Sequence, residues 1–354
     1  MPNPTLTRAI DALASRRDLS VEEAADVLAE IMHGDVSETQ IAAFLIALRT
    51  KGETVEELAG LARTMRALSA HVLSDREDLL DTAGTGGGRS TFNVSTTAAL
   101  IAAGAGCAVA KHGNRSATSK SGSADLLEAL GARIDLGPQA VAACIAEAGF
   151  GFMFAPAHHQ ATRFVVPVRH ELAVRTVFNL LGPLTNPAGA PRQLIGVSDA
   201  SFLERMAGAL ATLGVARALV VAGEDGLDEV SASAITKVVE VHGEQITRYE
   251  LDPRELDIDV DIARMRGAAG GTPQENASIT RAILEGEGTG EGAAAGTELA
   301  VINAGAAIYV AGRATTIADG VRAAREAIAD GSAAAALERY VAWSQAHAPA
   351  RAHG

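Results

Sequence analysis

From residue 75 onward, the sequence alternates short apolar runs with helical segments, and this alternation restricts the possible folds more than any other feature. Strands are predicted at 79–83, 107–111, 150–154, 194–197 and 218–222, and helices at 97–103, 124–130, 138–148 and 200–213. Such alternation is typical of a mainly parallel sheet covered by helices. Residues 236–241 and 246–251 flank a short polar turn and predict an antiparallel hairpin. We therefore expect an α/β fold with a mixed, mainly parallel central sheet.

Before this region, the sequence predicts a small helical layer with well-marked helix ends. In a capping box, two side chains three residues apart each bond the other residue's backbone amide. Three pairs fit this pattern: Ser20 with Glu23, Ser37 with Gln40, and Thr54 with Glu57. Gly34 and Gly52 stand where two of these helices are expected to end, because glycine tolerates the left-handed conformation found there.

One of the predicted helices carries an apolar stripe formed by Ile41, Phe44, Leu45 and Leu48 at helical spacing. The stripe fits two arrangements. It can pack into the core of its own chain, or it can form the interface of a homodimer, since small helical layers often bury surface against a second copy. The residues alone leave both arrangements open.

Residues 167–181 interrupt the alternation with a long helical stretch that ends at Gly182 and Pro183. We expect this stretch to return to the helical layer and make that domain discontinuous. The predicted domains are 1–73 plus about 163–192 for the helical, dimer-forming domain, and 74–162 plus 193–345 for the α/β domain. Residues 286–296 are predicted to form a flexible loop, and 346–354 a frayed tail.

The composition is that of a globular protein with an acidic surface. Hydrophobic residues form 48% of the 354 residues, and the net charge is −13. Because an acidic surface repels nucleic acid and anionic membranes, we expect neither as a partner. Cys107 and Cys144 lie in apolar segments and indicate no disulfide framework. Residues 1–10 carry no secretion signal, and no apolar run reaches about 18 residues, so the expected location is the cytoplasm.

Residues 81–96 form a glycine-rich segment between a predicted strand and a predicted helix, with four glycines among residues 84–88. Glycines let the backbone approach a phosphate, and Asn93, Ser95 and Thr96 offer capping groups and hydroxyls at the helix start. The free amides and the dipole of a helix N-terminus attract anions. The segment predicts a phosphate site, with a tight turn before a capped helix as the alternative.

A second polar segment, residues 111–123, begins at the end of the next predicted strand and combines Lys111, Arg115 and Lys120 with several hydroxyl groups. Open α/β sheets bind ligands outside the carboxyl ends of their strands. A solvated surface loop is the alternative interpretation. Two such segments after neighbouring strands favour a shared phosphate site.

Two further segments are candidates for metal and carboxylate binding. Residues 224–231 follow an apolar strand and include Asp228 and Glu229, a pair that suits Mg²⁺ held jointly with substrate phosphates. An acidic turn without metal is the alternative. Residues 154–159, which include His158, are followed by residues 168–172, which include Arg169, and an arginine is the natural partner of a carboxylate. Taken alone, a helical arginine more often lies on a solvated surface, and the histidine pair also fits a loop cap.

Together these motifs resemble the anthranilate phosphoribosyltransferases, enzymes of tryptophan biosynthesis. The resemblance extends from QIAAFLIALR at residues 40–49, through GTGG with FNVST, KHGNRS and NLLGPLTNP, to NAGAAIYVAG at residues 303–312. It implies a nucleoside phosphorylase/phosphoribosyltransferase-like fold and a homodimer whose active site lies at the hinge between the two domains.

The resemblance also implies site residues. Phosphoribosyl pyrophosphate is expected to contact Gly84, Gly87, Gly88, Thr91, Asn93, Val94, Ser95, Thr96, Lys111, His112, Gly113, Asn114, Arg115, Ser116, Ala117, Thr118, Ser119 and Ser123. Anthranilate is expected to contact Gly84, Asn114, Arg169 and His158, and Mg²⁺ to be held by Ser95, Asp228 and Glu229. His112 is the candidate acceptor of the proton that the amine loses.

The implied reaction transfers the phosphoribosyl group of 5-phosphoribosyl 1-pyrophosphate to the amine of anthranilate, releases pyrophosphate, and is the second step of the tryptophan branch. Displacement at the sugar carbon passes through oxocarbenium-like charge. This chain departs from the pattern at Gly88, where related enzymes usually carry an aspartate in a slightly longer loop.

Two alternative functions are compatible with the same fold. A nucleoside phosphorylase is expected to lack the paired carboxylates and the acceptor arginine, and a phosphate-dependence assay separates it from a transferase. A non-enzymatic relative that binds nucleic acid conflicts with the net charge of −13, and a salt-titrated DNA-binding measurement decides that case.

Overall fold

The computed structural model describes residues 1–116, 120–258, 269–287 and 291–349, except the side chains of 291–293. Its central sheet has seven strands in the order β3-β2-β1-β4-β5-β6-β7. The strands are β1 Leu80–Gly84, β2 Val109–Gly113, β3 Phe150–Phe154, β4 Arg192–Gly196, β5 Arg217–Gly223, β6 Thr236–His242 and β7 Gln245–Leu251. β1 to β5 are parallel, whereas β6 and β7 pair antiparallel. The prediction of a mixed, mainly parallel sheet is confirmed.

The strand register aligns the strand ends that carry the glycine-rich segment, residues 81–96, and the second polar segment, residues 111–123, which we call the KHGN segment. β1 pairs with β4 from Leu80 opposite Arg192 to Gly84 opposite Gly196. On the other side of β1, β2 and β3 pair in parallel register, with Gly113 opposite Phe154. Because parallel strands share one direction, their carboxyl ends lie at the same edge of the sheet. Both polar segments therefore begin at that edge.

The helices are named in chain order. They are α1 Pro4–Ala14, α2 Val21–His33, α3 Glu38–Lys51, α4 Val55–Ala67, α5 Val94–Gly104, α6 Ser123–Ala129, α7 Pro138–Ala148, α8 Ala155–His158, α9 Val166–Leu172, α10 Phe178–Leu184, α11 Leu203–Thr212, α12 Pro273–Leu284, α13 Glu291–Val310, α14 Ile317–Ala329 and α15 Ser332–His347. α1 to α4 form the N-terminal helical layer, while α5, α13, α14 and α15 pack together beside the sheet.

The predicted capping boxes are confirmed at two of three positions. Ser20 and Thr54 exchange bonds with their partners three residues later, at the starts of α2 and α4. At α3, Ser37 accepts from the Gln40 amide, but the Gln40 side chain turns away and bonds the backbone of Asn3. That long-range contact joins α1 to α3, and it takes the place of the reciprocal cap that the local sequence predicts.

The prediction of one continuous helix over 167–181 is wrong. α9 ends at Leu172 because Ala173 adopts a left-handed conformation with φ of 51°. A turn follows, and α10 then runs from Phe178 through Gly182 and Pro183 instead of ending before them. α9 packs against α3, and α10 against α4, so the segment does return to the helical layer. The domain boundaries given above remain predictions.

Two other local predictions need correction. The flexible loop expected over 286–296 is shorter, because α13 begins at Glu291, while residues 288–290 lie outside the described residues. The tail expected over 346–354 begins later, because α15 continues to His347 and residues 350–354 lie outside the described part of the chain.

The apolar stripe of α3 packs into the core of its own chain. Phe44, Leu45 and Leu48 are completely buried, and Ile41 is 1% exposed. They belong to an apolar core shared by the helical layer, α11 and one face of the sheet. A dimer interface formed by this stripe is therefore excluded.

Two predictions about covalent and membrane chemistry can be compared with the described residues. Cys107 and Cys144 are both buried and unpaired, as expected without a disulfide framework. Within the described ranges, none of the helices combines the length and apolar character that crossing a membrane requires.

Two residues of α3 provide a matched test of how the apolar stripe packs into the core. Leu45→Ala should lower the free energy of unfolding by about 2–5 kcal/mol, because it removes buried methyl groups and leaves a cavity. Thr50→Ala, at an exposed position on the same helix, should change it by less than half as much, because little buried surface is lost. Chemical denaturation of both variants measures the difference. Equal losses would show that α3 does not present this face to the core.

Candidate active site

A cleft of about 480 Å³ opens beyond the carboxyl ends of β1 and β2 and is closed on its far side by α9 and α10. Of the residues predicted to bind substrate or metal, the following line it: Gly84, Gly87, Gly88, Thr91, Asn93, Val94, Ser95, Thr96, Lys111, His112, Gly113, Asn114, Arg115, Ser116, Ser123, Arg169, Asp228 and Glu229. Ala117, Thr118 and Ser119 lie outside the described residues. Segments from four distant parts of the sequence thus share one cavity.

The glycine loop, residues 84–91, is anchored to the acidic turn that follows β5. The amide of Gly86 donates to Oδ2 of Asp228 at 2.9 Å, and the amide of Arg89 donates to the carbonyl of Gly226 at 2.9 Å. On its other side, the amide of Thr85 donates to the carbonyl of Gly196 at 2.9 Å. These three bonds hold the phosphate-type loop directly over the carboxylate pair.

Asn93 does not cap α5 as expected. Its side-chain NH₂ group donates to the carbonyl of Ser121 at 3.0 Å. Its Oδ1 accepts from the hydroxyl of Ser121 and from the side-chain NH₂ group of Asn276. The residue therefore ties the glycine loop to the second polar segment and to α12. Thr96, one turn into α5, has a buried hydroxyl that finds no partner among the described residues.

Lys111 is buried in the middle of β2 and points across β1. Its Nζ donates to the carbonyl of Thr82 at 2.6 Å and lies 3.5 Å from Oγ of Ser95. Burial lowers the pKa of Lys111, while the carboxylates of Asp81 and Glu229 oppose that change. A cation so placed keeps the floor of the cleft positive where a phosphate would lie.

Asp228 and Glu229 are adjacent carboxylates in a poorly solvated place. Burial raises the pKa of both groups, and the neighbouring Asp228 raises that of Glu229 further. Two half-buried negative charges side by side favour a bound cation. Among the described residues, no three histidine, cysteine or acidic side chains meet at one point to hold a metal by themselves. This donor set fits Mg²⁺, which takes a few carboxylate oxygens and completes its shell with water and phosphate.

His112 lines the cleft as a neutral imidazole. Burial lowers its pKa to about 3, and the nearby rings of His159 and His158 contribute in the same direction. Its Nδ1 lies 3.2 Å from the carbonyl of Gly182, so Nδ1 carries the hydrogen and donates it. Its Nε2 then carries a lone pair and has no partner among the described residues.

His158 is not placed as predicted. It is 2% exposed, its Nδ1 donates to the carbonyl of Ala70 at 2.9 Å, and it does not line the cleft. The cause is α8, a single turn after β3 that directs this side chain toward the segment following α4. The interpretation of His158 as an acceptor-binding residue is therefore wrong, and its place is structural.

Arg169 lies on α9 at the far side of the cleft. Its guanidinium is 5.3 Å from the ring of Phe178, burial lowers its pKa, and it forms no ion pair within the described ranges. A partly buried guanidinium without a carboxylate partner is suited to capture one from a ligand.

Comparison with known proteins gives a consistent family. Residues 76–334 match the glycosyl transferase family α/β domain, and residues 7–69 match its helical bundle domain. An anthranilate phosphoribosyltransferase of Rubrobacter xylanophilus is 52% identical over 95% of this chain and 96% of its own length. The chain belongs to the anthranilate phosphoribosyltransferase family. Both domains expected from the resemblance are thereby confirmed.

Solved structures of the family have the same fold. The enzyme from Thermus thermophilus superposes with a TM-score of 0.88 at 45% identity, covering 95% of this chain and 99% of that one. The enzyme from Saccharomyces cerevisiae, in complex with PRPP and Mg, superposes with a TM-score of 0.87 at 28% identity, covering 97% and 98%. These relatives support the transferase interpretation over both alternatives.

The departure at Gly88 from the expected family pattern has a steric counterpart in this chain. A Cβ added at Gly88 would lie 2.6 Å from Oδ1 of Asp228 and 2.9 Å from the carbonyl of Gly226. An aspartate in this backbone would therefore clash, and its charge would also oppose Asp228. The shortened loop packs tightly on the acidic turn and excludes the side chain that family members usually carry.

Arg175 is a cleft residue that sequence reasoning missed. Its guanidinium lies against Gly87, donates to the Ser198 hydroxyl at 3.1 Å and to the carbonyl of Thr85 at 3.4 Å, and opposes the rise in the pKa of Asp228. It stands in the turn between α9 and α10, where the sequence predicts a continuous helix. No local motif marks that turn, so nothing indicated that this side chain would reach the glycine loop.

The protonation state of His112 is directly testable. Because burial lowers its pKa to about 3, His112 should stay neutral between pH 5 and pH 8, as the Nδ1–H tautomer. Side-chain ¹⁵N chemical shifts, assigned with His112→Gln, measure this. A short histidine-containing peptide supplies the reference, since its imidazole titrates near pH 6.5. A His112 shift that follows the same curve as the peptide would contradict the buried, neutral placement.

Proposed function

We propose that this protein transfers the phosphoribosyl group of 5-phosphoribosyl 1-pyrophosphate to the amine of anthranilate, giving N-(5-phosphoribosyl)anthranilate and pyrophosphate. The observation that carries the proposal is the single cleft shared by the glycine loop, the KHGN segment, a half-buried carboxylate pair and Arg169, which forms no ion pair with the described residues. The yeast relative has been solved with PRPP and Mg, and also with 4-fluoroanthranilate. A donor region and an acceptor region follow from the lining of the cleft.

The donor region is the floor formed by the glycine loop, the start of α5 and the KHGN segment. Amides at the start of α5 have no intrahelical acceptor and attract anions. The unpartnered hydroxyl of Thr96 and the ammonium of Lys111 add donors at the same place. We infer that the phosphates of the sugar donor bind here, with Ser95 and Asn93 at the rim.

Mg²⁺ is proposed to bind with the sugar donor, held by Asp228 and Glu229 and by the hydroxyl of Ser95. When bound, it would neutralise the negative charge that develops on the departing pyrophosphate. Asp228 already positions the loop by accepting from Gly86, and the nearby backbone of Ser95 opposes the rise in the pKa of Glu229. The chain thus fixes the orientation of the Asp228 carboxylate before any ligand arrives.

The acceptor region is the opposite wall, where Arg169 is proposed to bind the carboxylate of anthranilate, and Asn114 of the KHGN segment is proposed to contact anthranilate from the floor. The amine nitrogen then forms a bond to the sugar C1 as the bond from C1 to the pyrophosphate oxygen breaks. The nitrogen loses one proton late in this step. His112 is the proposed acceptor, because the residue lines the cleft and Nε2 of its ring has no hydrogen-bond partner among the described residues.

The direct test is an assay of pyrophosphate release with anthranilate, the sugar donor and Mg²⁺. Release should require all three components and should match the formation of N-(5-phosphoribosyl)anthranilate. Replacing anthranilate with inorganic phosphate and a nucleoside tests the phosphorylase alternative. Turnover in that second mixture, without turnover in the first, would refute the proposal.

Arg169→Ala should raise the KM for anthranilate while leaving the apparent affinity for the sugar donor nearly unchanged. Loss of a buried carboxylate contact costs about 2–5 kcal/mol, or roughly 30-fold or more in KM. Steady-state kinetics with each substrate varied in turn measure both effects. Arg163→Ala, an exposed arginine six residues earlier, provides the control. Equal weakening of both substrates would reject the assignment of Arg169.

Asp228→Asn combined with Glu229→Gln should weaken magnesium dependence and turnover without unfolding the protein. The change preserves side-chain shape, and removing two half-buried, mutually repelling carboxylates relieves a destabilising charge pair. Activity across a magnesium titration, with thermal melting of the same samples, measures both outcomes. Glu224→Gln in the same turn is the control, since Glu224 does not line the cleft. Magnesium curves that superimpose on the wild type would exclude the metal role.

We also propose that the protein acts in tryptophan biosynthesis as a homodimer joined through its helical layer. Ile46 on α3, Val166 on α9 and Val174 after α9 are exposed apolar residues on elements that pack together. These residues, and not the buried stripe, are the candidate interface. Light scattering of the wild type and of Ile46→Glu tests it, and a wild-type mass of one chain would refute it. The cytoplasmic location stays a prediction.

A further inference from the structure

A second cavity of about 300 Å³ adjoins the cleft, where the end of α3 meets the turn before α10 and the start of α11. We name it the arginine pocket and define it by Arg49, Glu53, Arg175, Thr176, Asn179 and Arg205. Arg175 and Asn179 also line the cleft, so the two cavities share one wall. None of the residues predicted from the sequence to bind substrate lines the arginine pocket.

The charges around this pocket favour an anion. Three arginines, Arg49, Arg175 and Arg205, line the pocket together with one acidic residue, Glu53. Outside the lining, the carboxylate of Asp199 interacts with Arg205 and Arg175, and that of Asp228 interacts with Arg175. Glu53 is already paired with Arg205 at 3.7 Å, and burial raises the pKa of its carboxyl group. The lining of the pocket is therefore more positive than the chain as a whole, whose net charge is −13, and this lining favours an anion.

Arg49 and Arg205 are held in place by backbone carbonyls, and part of each guanidinium stays unused among the described residues. The guanidinium of Arg175 is directed to the cleft, where it bonds the Ser198 hydroxyl and the Thr85 carbonyl. Nη1 of Arg49 donates to the carbonyl of Arg175 at 2.9 Å, and Nη1 of Arg205 donates to the carbonyl of Glu53 at 3.2 Å. Arg205 also stacks on Phe202 at 4.5 Å. Contacts to carbonyls fix orientation without neutralising charge, so the remaining N–H groups are preorganised donors.

Thr176 gives independent evidence for a ligand. It is 4% exposed and lines the pocket, and its hydroxyl finds no partner among the described residues. A buried hydroxyl without a hydrogen bond is costly, so it normally has a partner. Next to it, Asn179 accepts from the amide of Thr176 through Oδ1, which leaves its NH₂ group as a donor.

We propose that the arginine pocket binds an oxyanion of the phosphate class at a site separate from the cleft. Guanidinium, hydroxyl and amide donors together outnumber the two oxygens of a carboxylate and match an anion with three or more acceptor oxygens. Inorganic phosphate and pyrophosphate share this chemistry. The pyrophosphate source rests on the proposed function, which releases it across the shared wall, whereas binding of inorganic phosphate does not.

Calorimetric titration of the full-length protein with inorganic phosphate tests the proposal, first alone and then with the cleft saturated by the sugar donor and Mg²⁺. The saturated wild-type protein should still bind one phosphate per chain. Arg49→Gln and Arg205→Gln should each weaken this binding about tenfold or more, because each removes a charged donor. Arg339→Gln, an exposed arginine on α15, should leave it unchanged.

Two results would overturn the proposal: no saturable phosphate binding to the saturated wild type, or equal affinities in Arg49→Gln, Arg205→Gln and Arg339→Gln. If Arg205→Gln unfolds because Glu53 loses its partner, Arg49→Gln decides alone, since Arg49 contacts only a backbone carbonyl among the described residues. A second titration with pyrophosphate distinguishes the two candidate ligands. Tighter binding of pyrophosphate than of phosphate would identify the ligand as pyrophosphate, the product of the proposed reaction. If the sugar donor itself fails to bind, the Arg49-dependent part of phosphate binding to the free protein still measures the pocket.

Discussion

The close approach of the acidic turn to the end of β4 is the constraint on which the site depends. A Cβ added at Gly196 would overlap the carbonyl oxygen of Asp228, so only glycine lets this turn cross the strand end. From that position Asp228 accepts the amide of Gly86, and the glycine loop is held against it. The contact of the acidic turn after β5 with the ends of β4 and β1 therefore fixes both the carboxylate pair and the glycine loop.

Asp81, inside the sheet, also holds separate segments of the site together. Its buried carboxylate accepts from the amide of His112 at 3.1 Å and from the side chain of Asn186 at 2.7 Å, beside the ammonium of Lys111. Removing one partner from such a group leaves a buried charge unpaired, which is strongly destabilising. Asp81 thus ties β1, the KHGN segment and the NLLGPLTNP segment together. The orientation of Lys111 and His112 in the cleft follows from this network.

The sheet and the position of the polar segments at its edge could be predicted because their signals are local, whereas the individual site residues followed from the family resemblance. Apolar runs, glycines and capping residues report the conformation of their own segment, and parallel strands bring their carboxyl ends together whatever the intervening sequence. The residues whose contacts were predicted wrongly, or were missed, bond to groups that are distant in the sequence. Asn93 bonds Ser121 and Asn276 instead of capping its helix, and Gln40 bonds Asn3 instead of Ser37. His158 turns to Ala70, and Arg175 reaches the glycine loop only because α9 breaks at Ala173.

The central claim is that the acidic turn and the glycine loop form one site for a metal–pyrophosphate group. An anomalous difference map tests it most directly, from crystals grown with the sugar donor and Mn²⁺ in place of Mg²⁺. The account predicts a peak in contact with a carboxylate oxygen of Asp228 or Glu229 and with an oxygen of the pyrophosphate. A pyrophosphate bound in the cleft with its metal ion away from both carboxylates would contradict it.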